Sequence, residues 1–456
     1  MTDTRVGVGA RRPNGPFLRR VLPRSPWAAA MAAWRLHRDL LSNAGSLVVS
    51  TGVASLLGVV YWMFATRLFS QRAVGYGSAA VSAMTLLGTI GMLGLGTLLI
   101  GELPRRSARA GLVSAALLTC GLASLVLGVG FAVVAPHVSD NFANMIGTPG
   151  RGALFAAGVA VTAVALVFDQ ATIGLMRGGL QLGRNIAFAI AKMLVLPAAA
   201  IILHDQFGAG ITLSWVAGIA LSLVLIAIRL WFAGEPVLPR PDWGVLRGLG
   251  KTAMAHNWLN LAMTMPFYLL PVLVTVIVSP SANAAFYIAA MLTTFLFIVP
   301  AHLSTVLFAV VAADPRVVAK KLRFALRVSC LIGIPGMAVL ILGAHLALGL
   351  FGKGYTVATV PMWLITLGYP AAVPKSLYIA VCRAAGKIPR AAVVLTACSS
   401  LEIAAAAAGG MAGGLYGLSL SLLAVRYAEA LVTTPPVLRT AFGQSRQPVI
   451  PFISRR

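Results

Sequence analysis

Apolar residues in this chain neither alternate nor keep to one helical stripe. They come in long unbroken runs, separated by short clusters of arginine, lysine, glycine and proline. A run of about 20 such residues matches the hydrocarbon core of a bilayer. Backbone groups at that depth must be bonded within their own segment, which makes the helix the spanning form. The runs also lack the two-residue alternation of barrel strands. The pattern predicts an all-α polytopic membrane protein with twelve transmembrane helices, over 44–66, 77–100, 110–136, 153–175, 185–203, 210–232, 255–278, 285–312, 327–351, 358–381, 391–410 and 415–437. Residues 1–42 form a basic tail with eight arginines and four prolines. The tail has no signal-peptide core followed by a cleavage site. Within it, "WAAAMAAWRLHRDLL" predicts a short interfacial helix that holds Trp27 and Trp34 at headgroup depth.

The second half of the chain retraces the first. "DQATIGLMRGGLQLGR" (Asp169–Arg184) aligns without a gap to "KSLYIAVCRAAGKIPR" (Lys375–Arg390). Ile173 matches Ile379, Arg177 matches Arg383 and Arg184 matches Arg390. "LPRRSARAGLVSAALLTC" likewise resembles "DPRVVAKKLRFALRVSC". An even number of spans separates the copies, so both have the same orientation. The expected architecture is two parallel-repeat six-helix lobes, 43–232 and 255–437, with a linker over 233–254 and a second basic tail over 438–456. Folds of this kind place a substrate site between the lobes and rock them for alternating access.

Composition adds direction. The chain is 59% hydrophobic and 10% charged, with a net charge of +25. If the N-terminus is cytoplasmic, 29 of the 36 Lys and Arg residues fall in cytoplasmic segments. Four fall outside (Arg67, Arg72, Arg151, Lys353) and three within spans (Lys192, Lys375, Arg426). Such asymmetry predicts cytoplasmic termini in a plasma membrane. It also explains the basic excess as topology and attraction to anionic lipid, leaving nothing for nucleic acid. The four cysteines lie in or at the ends of spans without metal spacing, so neither a disulfide nor a metal is expected.

The charges inside spans need partners, because a lone charge at that depth is costly. The repeat swaps Asp169 for Lys375. Lys192 lies at a depth similar to Asp169 on span five, and Glu402 lies at a matching place on span eleven. Two intralobe pairs are expected, Asp169–Lys192 and Lys375–Glu402, serving either to lock each lobe or to relay protons or substrate. Arg426 and Glu429 stand one turn apart on span twelve and can also pair. Prolines concentrate in the second lobe. Pro266 and Pro271, five residues apart in span seven, mark either a bending gate or static kinks. Gly88, Gly91, Gly94 and Gly96 in span two suit close helix approach.

No catalytic constellation is present. The six histidines are scattered. "LGKTA" lacks the glycine that a phosphate loop needs five residues before Gly250, and no strand precedes it. No cofactor site and no enzymatic activity are expected. The loop after span two, "GELPRRSARAG", lacks the Asp-Arg of major-facilitator transporters.

The stretch "NAGSLVVSTGVASLLGVVYWMFATRLFSQRAVGYGSAAVSAM" (Asn43–Met84) resembles the opening of polysaccharide-biosynthesis flippases of the multidrug/oligosaccharidyl-lipid/polysaccharide (MOP) superfamily. The residues carrying the resemblance are Asn43, Ala65–Leu68, Gly75 and Gly77, together with "FDQATIGLMRGGLQLGRN" between spans four and five. The resemblance implies a MOP-type fold around a central cavity. It further implies translocation of a polyprenyl-pyrophosphate-linked oligosaccharide, or a related glycolipid, to the outer leaflet for cell-envelope polysaccharide such as lipopolysaccharide. Membrane lipids, and glycosyltransferases or a polymerase of the same pathway, would be its partners. Cations along the path would meet pyrophosphate, and amides would meet sugar hydroxyls. The implied path candidates are Asn43, Arg67, Asn257, Asn260 and Arg426, with Lys192 at depth. Two rivals stay open. An ion-coupled small-molecule (multidrug) exporter of the same superfamily predicts a buried, unpaired first-lobe carboxylate. A non-transport scaffold of a glycan-assembly complex would tolerate loss of every cavity cation.

Overall fold

The computed structural model describes residues 55–106, 109–203, 207–313, 318–384 and 387–443. Asn43, the stretch with Trp27 and Trp34, and residues 444–456 lie outside them. Among the described residues every regular element is helical. Among the described residues nine helices are long and apolar enough to cross a membrane, and the bent pair Lys353–Leu367 and Tyr369–Cys382 makes a further span, the tenth in chain order. The apolar helix Ser55–Leu68 is the described part of span one. The run Ile388–Phe442 is two helices joined where Gly413 and Gly414 leave helical geometry, so it supplies spans eleven and twelve. Counted this way, the described residues contribute to twelve spans, six before the connector that follows Phe232 and six after it.

Local chemistry sets the ends of these helices. Ser70 accepts the N–H of Ala73 and opens span two, Gln71–Gly91. Thr148 accepts the N–H of Arg151, and Pro149 takes the first helical position of span four, Pro149–Gly174. Span two then breaks, with Leu93 and Gly94 at positive φ, and resumes as Leu95–Glu102. The glycines before and after that break admit neighbours. A Cβ on Gly91 would lie 2.9 Å from the Cα of Ser124 in span three, and one on Gly96 would lie 3.0 Å from the Gln170 side chain in span four.

Pro197, Pro266, Pro271, Pro300, Pro335 and Pro374 all sit inside helices that run on through them. In span ten the 43° bend comes at Gly368, and Pro361 and Pro370 stand near the starts of the two helices flanking it. Span seven, Trp243–Ile277, begins well before the residue 255 expected from hydropathy. Hydropathy marks only the part a helix gives to lipid, and polar residues continue a helix freely beyond it.

Span two crosses between the halves and packs on spans seven, Trp243–Ile277, and eight, Pro280–Ala313. Where spans two and eight meet, Gly75 has no side chain to spare: a Cβ there would stand 1.7 Å from the Pro280 carbonyl oxygen. Polar bonds join the halves at this end, which carries Ser70 and Gly352. Arg67 donates to the Leu350 carbonyl at 3.1 Å. Gln71 donates to the Ser281 and Gly354 carbonyls. Asn283 donates to the Gly75 carbonyl at 2.9 Å and to Ser78 Oγ at 3.0 Å. Asn141 donates to the Thr275 carbonyl at 3.0 Å. Below these bonds, Tyr61, Trp62 and Val74 share a buried apolar cluster with Ala284, Ile288, Phe351 and Tyr355.

Candidate functional site

A cavity of about 550 Å³ lies between the two halves, with Lys192 and Trp62 on one wall and Lys375, Glu402, Arg426 and Glu429 on the other. Pro266, Pro271 and Tyr287 also line it. Its volume falls within the usual range of ligand cavities, about 300–1,000 Å³. Most of the lining is aromatic or aliphatic, so the few charges stand out.

In the second half the charges form a connected group. Lys375 Nζ donates to Glu402 Oε1 at 2.6 Å and to Glu429 Oε2 at 2.8 Å. Glu402 and Glu429 are each only 4% exposed. A single ammonium therefore serves two buried carboxylates, and Glu429 Oε1 has no partner among the described residues. The expected Lys375–Glu402 contact is present. Glu429 joins it instead of pairing with Arg426, because span ten brings the ammonium into direct reach. Arg426 makes no ion pair among the described residues and lies over the Phe297 ring, 5.7 Å from its centroid. It passes close beside Gly368, the residue at the bend of span ten.

The first half differs. Asp169 does not pair with Lys192. Arg184 takes that place, with Nε and Nη2 donating to Oδ1 and Oδ2 at 2.7 Å each. Span five begins at Gly178, so Arg184 is already inside the helix. Its planar fork matches a carboxylate edge to edge, which an ammonium cannot do. Lys192, eight residues on, stands about 12 Å further along the helix and about 80° around it. It is 4% exposed. Its Nζ rests among three rings, 4.5 Å from the Tyr61 and Phe188 centroids and 4.2 Å from Trp215. No ion pair or hydrogen bond reaches this ammonium among the described residues. Span six can approach so closely because Gly218 faces Lys192, where a Cβ would lie 2.8 Å from the lysine Cβ.

Other candidate residues lie elsewhere. Arg67 is at the Ser70 end, bonded to the Leu350 carbonyl, and does not line the cavity. Asn257 Nδ2 faces the Ile90 carbonyl at 3.5 Å, and Asn260 donates to Thr97 Oγ1 at 2.8 Å. Both amides therefore tie span seven to span two outside the cavity wall. Sequence reasoning missed the aromatic set of Tyr61, Trp62, Phe188, Trp215 and Tyr287. Within apolar spans their spacing carries no signal separate from ordinary packing.

No protein-family model matches the chain, and no curated protein matches it either. Several solved structures share its architecture. A multidrug resistance MATE family transporter of the MOP superfamily, in its inward-facing conformation, is similar over 88% of this chain and 98% of its own, with 14% identity and a TM-score of 0.64. The lipid II flippase MurJ, in an inward closed conformation, is similar over 86% of this chain and 89% of its own, with 14% identity and a TM-score of 0.59. A MOP superfamily transporter from Pyrococcus furiosus, described as having a binding pocket of reverse polarity, covers 87% of this chain and 94% of its own at 15% identity, with a TM-score of 0.51. At such identities the likeness is one of fold: the chain has the twelve-span, two-lobe architecture of the MOP-superfamily transporters.

Proposed function

We propose that this protein is a flippase that carries the headgroup of a lipid-linked oligosaccharide, or a related glycolipid precursor, from the inner to the outer leaflet of the plasma membrane. The carrier would be a polyprenyl pyrophosphate and the destination cell-envelope polysaccharide. The observation carrying this reading is the charge balance of the cavity. Three cations line it (Lys192, Lys375, Arg426), and both lining carboxylates bind the same one, Lys375. Lys192 and Arg426 make no ion pair among the described residues and face a largely apolar cavity, an arrangement suited to an anionic headgroup. The fold shared with a lipid II flippase supports the same reading. The two lobes would rock around the site, with Pro266 and Pro271 placed where span seven could bend against the cavity.

One observation favours a second reading, an ion-coupled small-molecule exporter. Glu429 keeps an unpartnered oxygen at an aromatic-rich cavity, and the same fold serves multidrug transporters. Against it, the first-lobe carboxylate Asp169 is held by Arg184 and does not line the cavity. Reconstitution separates the two. Vesicles containing the protein should expose a fluorescent polyprenyl-pyrophosphate saccharide to an external reagent several-fold faster than empty vesicles, and should not extrude cationic dye along an ion gradient. Dye extrusion without lipid scrambling would reverse the assignment.

A further inference from the structure

The first-lobe ammonium touches more than a cavity. Its three rings come from three helices: Tyr61 from span one, Phe188 from span five and Trp215 from span six. Two of them continue into a chain of ring contacts that crosses between the halves. Tyr61 meets Trp62 edge-on at 5.4 Å, and Trp215 lies 6.2 Å from Trp62. Trp62 in turn lies 4.8 Å from Tyr287 of span eight. That last contact belongs to the apolar cluster beneath the Ser70-end bonds. Tyr61 is fixed from behind, with its hydroxyl 2.7 Å from Ser214 Oγ of span six. The position of one side chain, Lys192, therefore bears on whether the rings sealing the two halves stay in contact.

We propose that Lys192 is an anion-binding site whose occupation loosens the inter-lobe ring seal. Among the described residues the ammonium is held by ring faces, a contact weaker than a charge-assisted hydrogen bond to phosphate or carboxylate. An anionic group entering the cavity draws Nζ off Trp215 and Tyr61. The rings then lose the cation that fixes their tilt, and the Trp62–Tyr287 contact across the halves opens. Binding in the cavity is thereby converted into release at the Ser70 end. The ligand group is a phosphate or a carboxylate of the transported molecule. This inference rests on the transport reading above, and it adds the residue that senses the cargo.

The test uses the full chain in lipid nanodiscs, with Val74→Cys and Ala284→Cys, from the apolar cluster the halves share, placed across the halves and the four native cysteines replaced by alanine. Inorganic pyrophosphate, citrate and tetraethylammonium are the three probes. Oxidative cross-linking of the new pair should slow at least fivefold at saturating pyrophosphate or citrate, and should be unchanged by tetraethylammonium. Whichever of the two anions acts at the lower concentration identifies the preferred group. Lys192→Met should abolish the slowing, and Lys192→Arg should retain it with about tenfold weaker binding or less, the ratio worth one hydrogen bond. Cross-linking of the Lys192-intact protein that is indifferent to both anions overturns the proposal, even if the Met variant fails to fold. Slowing by tetraethylammonium alone overturns it too, by making the cage a cation receptor. Wild-type lipid scrambling is measured separately, so loss of the proposal and loss of the transport reading remain distinct results.

Discussion

At the scale of single residues, the buried charges divide into those with a carboxylate and those without. Lys375 holds Glu402 and Glu429 together, and removing it leaves two acids facing each other in an apolar wall. Lys375→Met should lower stability by about 3–5 kcal/mol, the usual cost of leaving buried charges uncompensated. Adding Glu402→Gln and Glu429→Gln to that variant should recover most of the loss, as read by thermal unfolding in detergent. The first lobe makes the opposite prediction about a pair expected from sequence. Asp169→Asn and Lys192→Met should add independently, because the two side chains have different partners. Asp169→Asn and Arg184→Met should couple by about 0.5–3 kcal/mol in a double-mutant cycle. The need for partners was legible in the sequence, and the identity of one of them was not. Arg184 read as part of a basic turn, because nothing in the composition shows that the helix of span five starts six residues before it. Lys375 and Glu402 were within reach of the repeat alignment because both lie deep inside apolar runs, where few alternatives exist.

At the scale of helices, the hydrophobic pattern carried most of the architecture. Every expected span has a helix at its place among the described residues, since lipid imposes one answer on an apolar run of that length. The pattern said little about breaks. The interruption of span two at Leu93–Gly94 and the bend at Gly368 depend on backbone angles that hydropathy does not register. Nor did it say which glycines are structural. Gly75 stood out only as part of a family resemblance and with no packing role, yet it lets span two lie against the start of span eight. Gly75→Val should therefore part these helices. The cross-link between Val74→Cys and Ala284→Cys should form at least tenfold more slowly in that background. Gly58→Val, where a Cβ meets nothing within 4 Å, should leave the cross-link unchanged. Equal slowing by both would mean that the effect is on folding rather than on the contact.

At the scale of the molecule, the described residues place polar bonds between the halves at both ends of the cavity, with more of them at the Ser70 end. At the Ser70 end, Arg67, Gln71, Asn283 and Asn141 all donate across the halves. At the other end Asn260 makes a good bond to Thr97, Asn257 only a long one to a carbonyl, and the Asp242 N–H donates to the Gly111 carbonyl. Two conformers related by rocking differ by the sum of such contacts, so each bond at the Ser70 end favours the form closed there. Each hydrogen bond contributes about 0.5–1.5 kcal/mol net. Asn283 donates two of them, both to span two, and is fully buried. Asn283→Ala should thus move the balance by about 1–3 kcal/mol toward the form open at the Ser70 end, a shift of about 5- to 150-fold in population. Spin labels at Arg67→Cys and Lys353→Cys, one on each half at that end, would show it as a second, longer distance in pulsed spectra. Asn260→Ala should move the same distance distribution the other way or not at all. If Asn283→Ala keeps a single short distance while Asn260→Ala produces the longer one, the polar bonds do not hold the Ser70 end closed, and the sealing rings of Trp62 and Tyr287 must do so alone.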